Sequence, residues 1–195
     1  MKKWIVPFVI VLLVFLWGFN LNNTAVELDE KVNNSWSKVE SAYQRRNDLI
    51  GNLVKTVQGA ADFERGTLKD VIEARAKATS TTIDASNINP ENLQKFQEAQ
   101  SGLTGALSRL LLNVERYPEL KANKNFLELQ SQLEGTENRI NVARDRFNNS
   151  VEPYNNYVRK MPQKLILSPI GFKTKGYFTS DDGADVAPNV EFDFK

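Results

Sequence analysis

The sequence predicts an all-α protein: an antiparallel up-and-down bundle of four helices behind one N-terminal transmembrane helix, with an irregular C-terminal tail. Three observations carry this. An uncharged apolar run opens the chain. Apolar residues then recur at steps of three and four through four long segments. Proline, glycine and asparagine gather at the joints between those segments.

Residues 4–19 read WIVPFVIVLLVFLWGF, follow Lys2 and Lys3, and no further charge comes before Glu27. With Asn20 and Leu21 added, the span is about 18 residues, roughly 27 Å of helix, at the short end of what crosses a hydrocarbon core. Trp4 and Trp17 stand near its two ends, where amphipathic rings favour the headgroup region. A cleaved signal peptide starts the same way but needs small residues at its −3 and −1 positions. This run ends Trp17-Gly18-Phe19-Asn20, and Ala25 has Asn23 two places before it. The sequence therefore favours an uncleaved anchor over residues 4–21. Positive-inside logic puts residues 1–3 in the cytoplasm and the rest, from about residue 22, on the periplasmic or extracellular side.

The first bundle helix is expected at about residues 24–59, on a stripe of Leu28, Val32, Trp36, Val39, Tyr43, Ile50, Leu53 and Val57. It starts so soon after the anchor that the two can be continuous. Gly59 and Gly66 bracket a break, and a second helix follows at 62–79 with Leu68, Val71 and Ile72. Residues 80–92, STTIDASNINPEN, form a polar loop. Asn89 before Pro90 makes a helix start, with asparagine as cap and proline at the first position. The third helix, 90–116, carries Leu93, Phe96, Leu103, Leu107, Leu110, Leu111 and Val114, and Tyr117-Pro118 ends it. The fourth, 122–160, has near-heptad spacing through Phe126, Leu129, Leu133, Thr136, Ile140, Ala143, Phe147, Val151, Tyr154 and Val158. Pro153 should kink it, and Met161-Pro162 stops it. The bundle domain thus covers 24–162. Residues 163–195 carry scattered Pro and Gly and two short alternating pieces, at 171–178 and 190–194; they read as an irregular tail that is either ordered, with a short strand or hairpin, or flexible.

Composition removes more functions than it suggests. The 195 residues include no histidine and no cysteine. That excludes zinc centres, Cys–His and Ser–His catalysis, iron–sulfur clusters, disulfides and an acylated-cysteine anchor. What survives is carboxylate, lysine or tyrosine chemistry and oxygen-ligated metals, and no pair of acids is singled out for the first. Bundle metal sites use Glu-x-x-His, so no metal and no cofactor is expected. Twenty-five Lys and Arg interspersed with 24 Asp and Glu leave a net charge of +1, which implies no nucleic-acid partner. The chain is expected not to be an enzyme.

At these residues a resemblance enters. Residues 36–40, WSKVE, followed by 43–54, YQRRNDLIGNLV, are similar to the signature of the LemA family. So are Glu64 ahead of Glu73-Ala-Arg75, residues 115–122 (ERYPELKA) with Phe126, Leu129 and Leu133, the series Glu137, Ile140, Ala143, Arg144, Phe147 and Asn148, then Tyr154-Asn155 and Pro162. The match runs in order along nearly the whole chain. Phe147 stands where the family usually has Tyr, Gly51 where it often has Pro, and the tail past about residue 175 is least family-like. The resemblance implies a four-helix bundle on a membrane anchor in the bacterial envelope, and no established enzymatic activity. It also brings relatives that serve in forming magnetosome membranes.

The candidate polar group follows from the same helices. Arg45, Arg46, Asp48 and Asn52 lie among the stripe positions of the first, with Arg45/Asp48 and Asp48/Asn52 spaced to touch. Glu137, Arg144 and Asn148 share one side of the fourth, and Glu64 with Arg75 makes a similar set. The plain reading is an interhelical network that sets register with its charges paired. The functional reading is a recognition surface or a site for an anionic or peptide ligand. Trp36, Tyr43, Phe126, Phe147 and Tyr154 read as core rather than as a binding stripe. Gly51, Gly102 and Gly105 could let helices approach closely. The two N-x-S sequences at Asn33 and Asn148 fall inside helices and read as chance. The expected function is a single-pass scaffold or adaptor of the bacterial cytoplasmic membrane, with the lipid bilayer and a protein partner or a second copy as its contacts; a ligand-sensing module and a membrane-remodelling assembly protein are the alternatives.

Overall fold

No proline interrupts the chain between Pro7 and Pro90, and the apolar stripe of the first segment has no gap wide enough to end a helix. One helix results, α1 (Ile5–Gln58), 54 residues and roughly 80 Å long. The N-terminal apolar run and the first bundle helix are therefore one element. The computed structural model describes residues 5–59 and 64–179, and of α1 it leaves aside the side chains of residues 5, 6, 10, 11, 13 and 14. Lys2, Lys3, Trp4 and the tail from residue 180, with its alternating piece at 190–194, lie outside the described residues. Among the described residues no helix is long and apolar enough to cross a membrane. Phe8, Leu12, Phe15, Leu16, Trp17 and Phe19 are all exposed, and packing against the bundle begins at Leu21.

α2 (Arg65–Ser80), α3 (Pro90–Val114) and α5 (Lys124–Arg159) complete the bundle, with the short α4 (Pro118–Lys121) and α6 (Gln163–Leu167) at its corners. Asn89 Oδ1 accepts from Asn92 N at 2.7 Å and Pro90 takes the first position of α3. Asn123 Oδ1 accepts from the amides of Asn125 and Phe126 at the start of α5. Such caps contribute about 1 kcal/mol each. Pro153 sits inside α5 on its exposed face, where the carbonyl it leaves without a helical donor can turn to water.

Cross-helix pairs give the directions. On α1 and α5, Leu21 meets Tyr157, Ser35 meets Ser150 and Arg46 meets Glu137, so residue numbers rise on one as they fall on the other. On α2 and α3, Thr67 meets Asn113 and Ala78 meets Gln100. α1 and α3 run the same way, Trp36 beside Phe96 and Arg46 beside Gln100. This is an up-and-down helical bundle, and the described residues include no strand.

The core divides into two. The cluster near Leu21 is built on Trp36, which is fully buried with Phe96 and Phe147 edge-on to it at 5.5 Å and Phe178 stacked at 6.2 Å. The distal cluster holds Ile50, Leu53, Val57, Val71, Leu103, Leu110 and Leu133. Phe178 belongs to the tail: residues 172–179 run extended back along α1 and α5 as an ordered strap.

Candidate functional site

The two clusters meet at a polar layer, and the stripes show why it lies there. On α1 the apolar positions step from Tyr43 to Ile50, skipping the heptad position that Arg46 fills. On α3 they step from Phe96 to Leu103, skipping Gln100. Both skipped residues are buried and both point at each other. Arg46 Nη2 donates to Gln100 Oε1 at 2.6 Å, and its Nη1 to Thr104 Oγ1 and to Glu137 Oε2, both at 3.3 Å. Gln100 Nε2 in turn donates to Ala78 O, a carbonyl at the end of α2 that has run out of helical donors. The Arg46 guanidinium also lies 4.9 Å from the Tyr43 ring centre. Three helices and the end of a fourth are thus keyed to one side chain. Glu137 is half exposed, so the ion pair is buried on the arginine side only.

Beside this layer a cleft of about 170 Å³ runs between α3 and α5, lined by Arg46, Ile50, Leu107, Leu133, Glu134 and Glu137. It is smaller than the few hundred Å³ typical of ligand pockets. The residues expected to hold a ligand together do not converge on it. Arg45 and Asp48 face a different groove. Asp48 accepts from Gln44 Nε2 at 3.4 Å rather than pairing with Arg45, because Gln44 lies one turn below it on the same exposed face. Asn52 lines a surface cleft with Gly51 and Arg75.

That different groove, of about 790 Å³, runs between α1 and α5 on the outside of the bundle. Lys38 and Arg45 border it from α1, Arg139 and Arg146 from α5, and Val142, 48% exposed, lies between the two arginines along α5. Asp48 is the one carboxylate in its lining. Four cations against one anion leave the lining of this groove with a clear excess of positive charge. The sequence conceals it: Arg139, Val142 and Arg146 follow the stripe of α5 on its outer edge, and only the antiparallel pairing with α1 sets Lys38 and Arg45 opposite them.

Arg144 and Asn148 do not bridge helices; they hold the strap. Arg144 Nη2 donates to Thr179 O at 2.7 Å, with its guanidinium 5.0 Å from the Phe178 ring centre. Asn148 donates to Phe178 O and accepts from Phe178 N, each at 2.9 Å. Asn155 does the same to Lys175, both bonds at 2.8 Å. Seven residues of helix rise about 10.5 Å, and three residues of extended chain cover about 10 Å, so two asparagines a heptad apart match two backbone sites three residues apart. The Lys175 side chain is buried, with its Nζ 2.7 Å from Asp29 Oδ1 and 3.0 Å from Asn33 Oδ1. Tyr154 donates to Lys173 O at 2.8 Å; burial, aided by the Asp29 charge, pushes its hydroxyl up to about 12.

Glu64 and Arg75 serve separate places. Glu64 precedes α2 and pairs with Arg116 at 3.2 Å on the surface. Arg75 Nε donates to Asn47 O at 2.8 Å, and a Cβ on Gly51 would come within 3.0 Å of its guanidinium. Gly51 therefore gives room to an arginine. Gly102 and Gly105 have nothing within 4 Å of an added Cβ, so neither serves a close helix approach. Among the described residues no three acids gather as metal ligands.

The LemA family profile matches residues 35–192, which covers the polar layer, the strap and both core clusters apart from Ala25 and Val32. Similar proteins include magnetosome protein MamQ 2 of Paramagnetospirillum magneticum and magnetosome protein MamQ of Magnetospirillum gryphiswaldense, each 27% identical over 184 residues, 84% of this chain and 66% of the relative. Protein LemA of Metamycoplasma hominis is 25% identical over 152 residues, 74% of this chain and 65% of the relative. The chain thus spans slightly less than two thirds of the length of these relatives. An all-helical bundle with the motifs of α1 and α5 in order, matched over most of its length, places the chain in a family: it belongs to the LemA family.

Proposed function

We propose that the chain is a non-enzymatic scaffold of the bacterial cell envelope. Residues 4–21 cross the cytoplasmic membrane once, residues 1–3 stay in the cytoplasm, and the bundle stands outside and receives an acidic stretch of a partner protein in the α1–α5 groove. The observation that carries this is the charge of that groove, Lys38, Arg45, Arg139 and Arg146 around Asp48, with Val142 for an apolar contact. Such a surface raises the encounter rate with an acidic partner and selects against a basic one. The anchor rests on the uncharged run of residues 4–19, the two preceding lysines and the exposed apolar side chains of α1 before Leu21. Because α1 continues from that run into the bundle, the groove would be held at a set height above the bilayer.

The test uses the absence of native cysteine. A benzophenone maleimide on Val142→Cys in the full chain, irradiated in native membranes, should give one recurrent protein adduct. Reversing the groove charge with R139E/R146E should remove it, and raised salt should weaken it. Recovery of uncrosslinked chain alone, or an adduct indifferent to the charge reversal, would overturn the reading.

A further inference from the structure

α5 ends where α1 leaves the bundle. Tyr157 near the end of α5 donates its hydroxyl to Leu21 O at 3.2 Å, two residues after the exposed Phe19 and four after Trp17. The turn that follows and α6 therefore sit at the anchor end of the bundle. α6 is fastened there by Leu167, fully buried among the core residues that include Ala25. Its remaining surface is unusual. Met161, Leu165 and Ile170 are 67%, 65% and 56% exposed, a density of exposed large apolar side chains that the rest of the bundle does not match.

Charge accompanies them. Between Glu152 and Asp181 the chain has no acidic residue, and Arg159, Lys160, Lys164 and Lys173 are all exposed in that interval. The acids of the facing part of α1 are Glu27, Asp29 and Glu30. Glu27 is paired with Lys31 at 2.7 Å and Asp29 with Lys175 at 2.7 Å. Glu27 and Glu30 also lie six and nine residues beyond Leu21 along α1, about 9 and 13.5 Å away from the anchor run. Exposed apolar side chains mixed with cations whose charge is not cancelled locally are the composition of a segment that lies in a bilayer interface.

We propose that the α5–α6 turn and α6 are a second membrane contact. Met161, Leu165 and Ile170 enter the interfacial layer beside the anchor, and Arg159, Lys160, Lys164 and Lys173 bind the phosphates of anionic phospholipids. The bundle then rests on the bilayer at two points, α1 and α6, which fixes its tilt and the direction in which the α1–α5 groove opens. This rests on the anchoring proposed for residues 4–21.

Leu165→Cys in the full chain, labelled with an environment-sensitive fluorophore, tests it in nanodiscs of mixed phosphatidylglycerol and phosphatidylcholine. Glu128→Cys, at the far end of the bundle, is the control. The label at residue 165 should emit further to the blue than at 128 and lose roughly half its intensity to lipids carrying a headgroup-level nitroxide, as an interfacial residue does. K160E/K164E, or discs of phosphatidylcholine alone, should reverse most of that loss. A chain that elutes with the discs while its residue-165 label behaves like the one at 128 overturns the second contact and leaves the anchor standing. A chain that does not elute with the discs overturns the anchor and the contact with it. A blue shift at residue 165 without loss of intensity to the headgroup-level nitroxide points to a protein neighbour and also overturns the proposal.

Discussion

Replacing Arg46 by alanine should be among the most costly single changes in the bundle. Its side chain is 5% exposed, and it is the donor to Gln100 Oε1, Thr104 Oγ1 and Glu137. Removing it leaves Glu137 half in water, so little is lost there. Gln100 is buried, and its amide oxygen without a donor costs about 1–3 kcal/mol. The cavity left by the aliphatic stem adds about 2 kcal/mol. The expected loss is about 3–5 kcal/mol, read from urea unfolding of the full chain in detergent followed by far-ultraviolet circular dichroism. R46M fills the stem volume and should lose only about 1–3 kcal/mol, the share belonging to Gln100. Q100L gives up the bond to Ala78 O as well as that to Arg46, yet R46M/Q100L should cost less than the sum of the two single changes by about 1 kcal/mol or more, since the two polar groups are then removed together. An R46A loss below about 1 kcal/mol, or strict additivity in the cycle, would refute the keyed-layer argument.

Four further outcomes are expected. N155A removes both bonds to the Lys175 backbone and should cost about 2 kcal/mol, with hydrogen exchange at the Lys175 amide accelerating before exchange in α5 does. The folded state holds the Tyr154 proton more tightly than the unfolded chain, about 12 against 10.0, so its stabilising share is whole below pH 10 and lost as pH rises from 10 to 12. Melting curves across that window should show the fall in the wild type and a shallower one in Y154F. G176A should destabilise by about 1–3 kcal/mol, because its Cβ would lie 2.9 Å from Pro90 Cα. G102A, exposed in a helix with nothing near, should stabilise by about 0.5–1 kcal/mol in the same unfolding assay.

The helical stripes were legible because periodicity records burial directly: of the ten stripe residues named for the last helix, all but Leu129 are buried. The polar layer left a weaker trace, a skipped heptad at Arg46 and another at Gln100. A skip shows that a position is polar but not what it meets, and the matching skip lies 54 residues away. The strap left almost none. Asn148 and Asn155 are polar residues on a helix like many others, and their use depends on where residues 175 and 178 return. Arg144 and Asn148 were expected between helices because the sequence shows helix faces and not the tail that covers them. Lys175 was missed for the same reason: a lone lysine in a Gly-rich segment reads as solvated, and only folding brings Asp29 and Asn33 around it. The α1–α5 groove needed the antiparallel register of two helices about 100 residues apart in sequence before its charge could be added up.

The claim that the bundle is tethered outside the membrane is tested most directly by labelling Glu128→Cys in spheroplasts with a membrane-impermeant maleimide, followed by alkaline extraction of the membranes. The account predicts a labelled chain that stays in the membrane pellet, and a chain released to the supernatant when L12R/L16R puts charge into the apolar run. A wild-type chain that is protected from the reagent until the cells are lysed, or that washes off at high pH as the charged variant does, would contradict it.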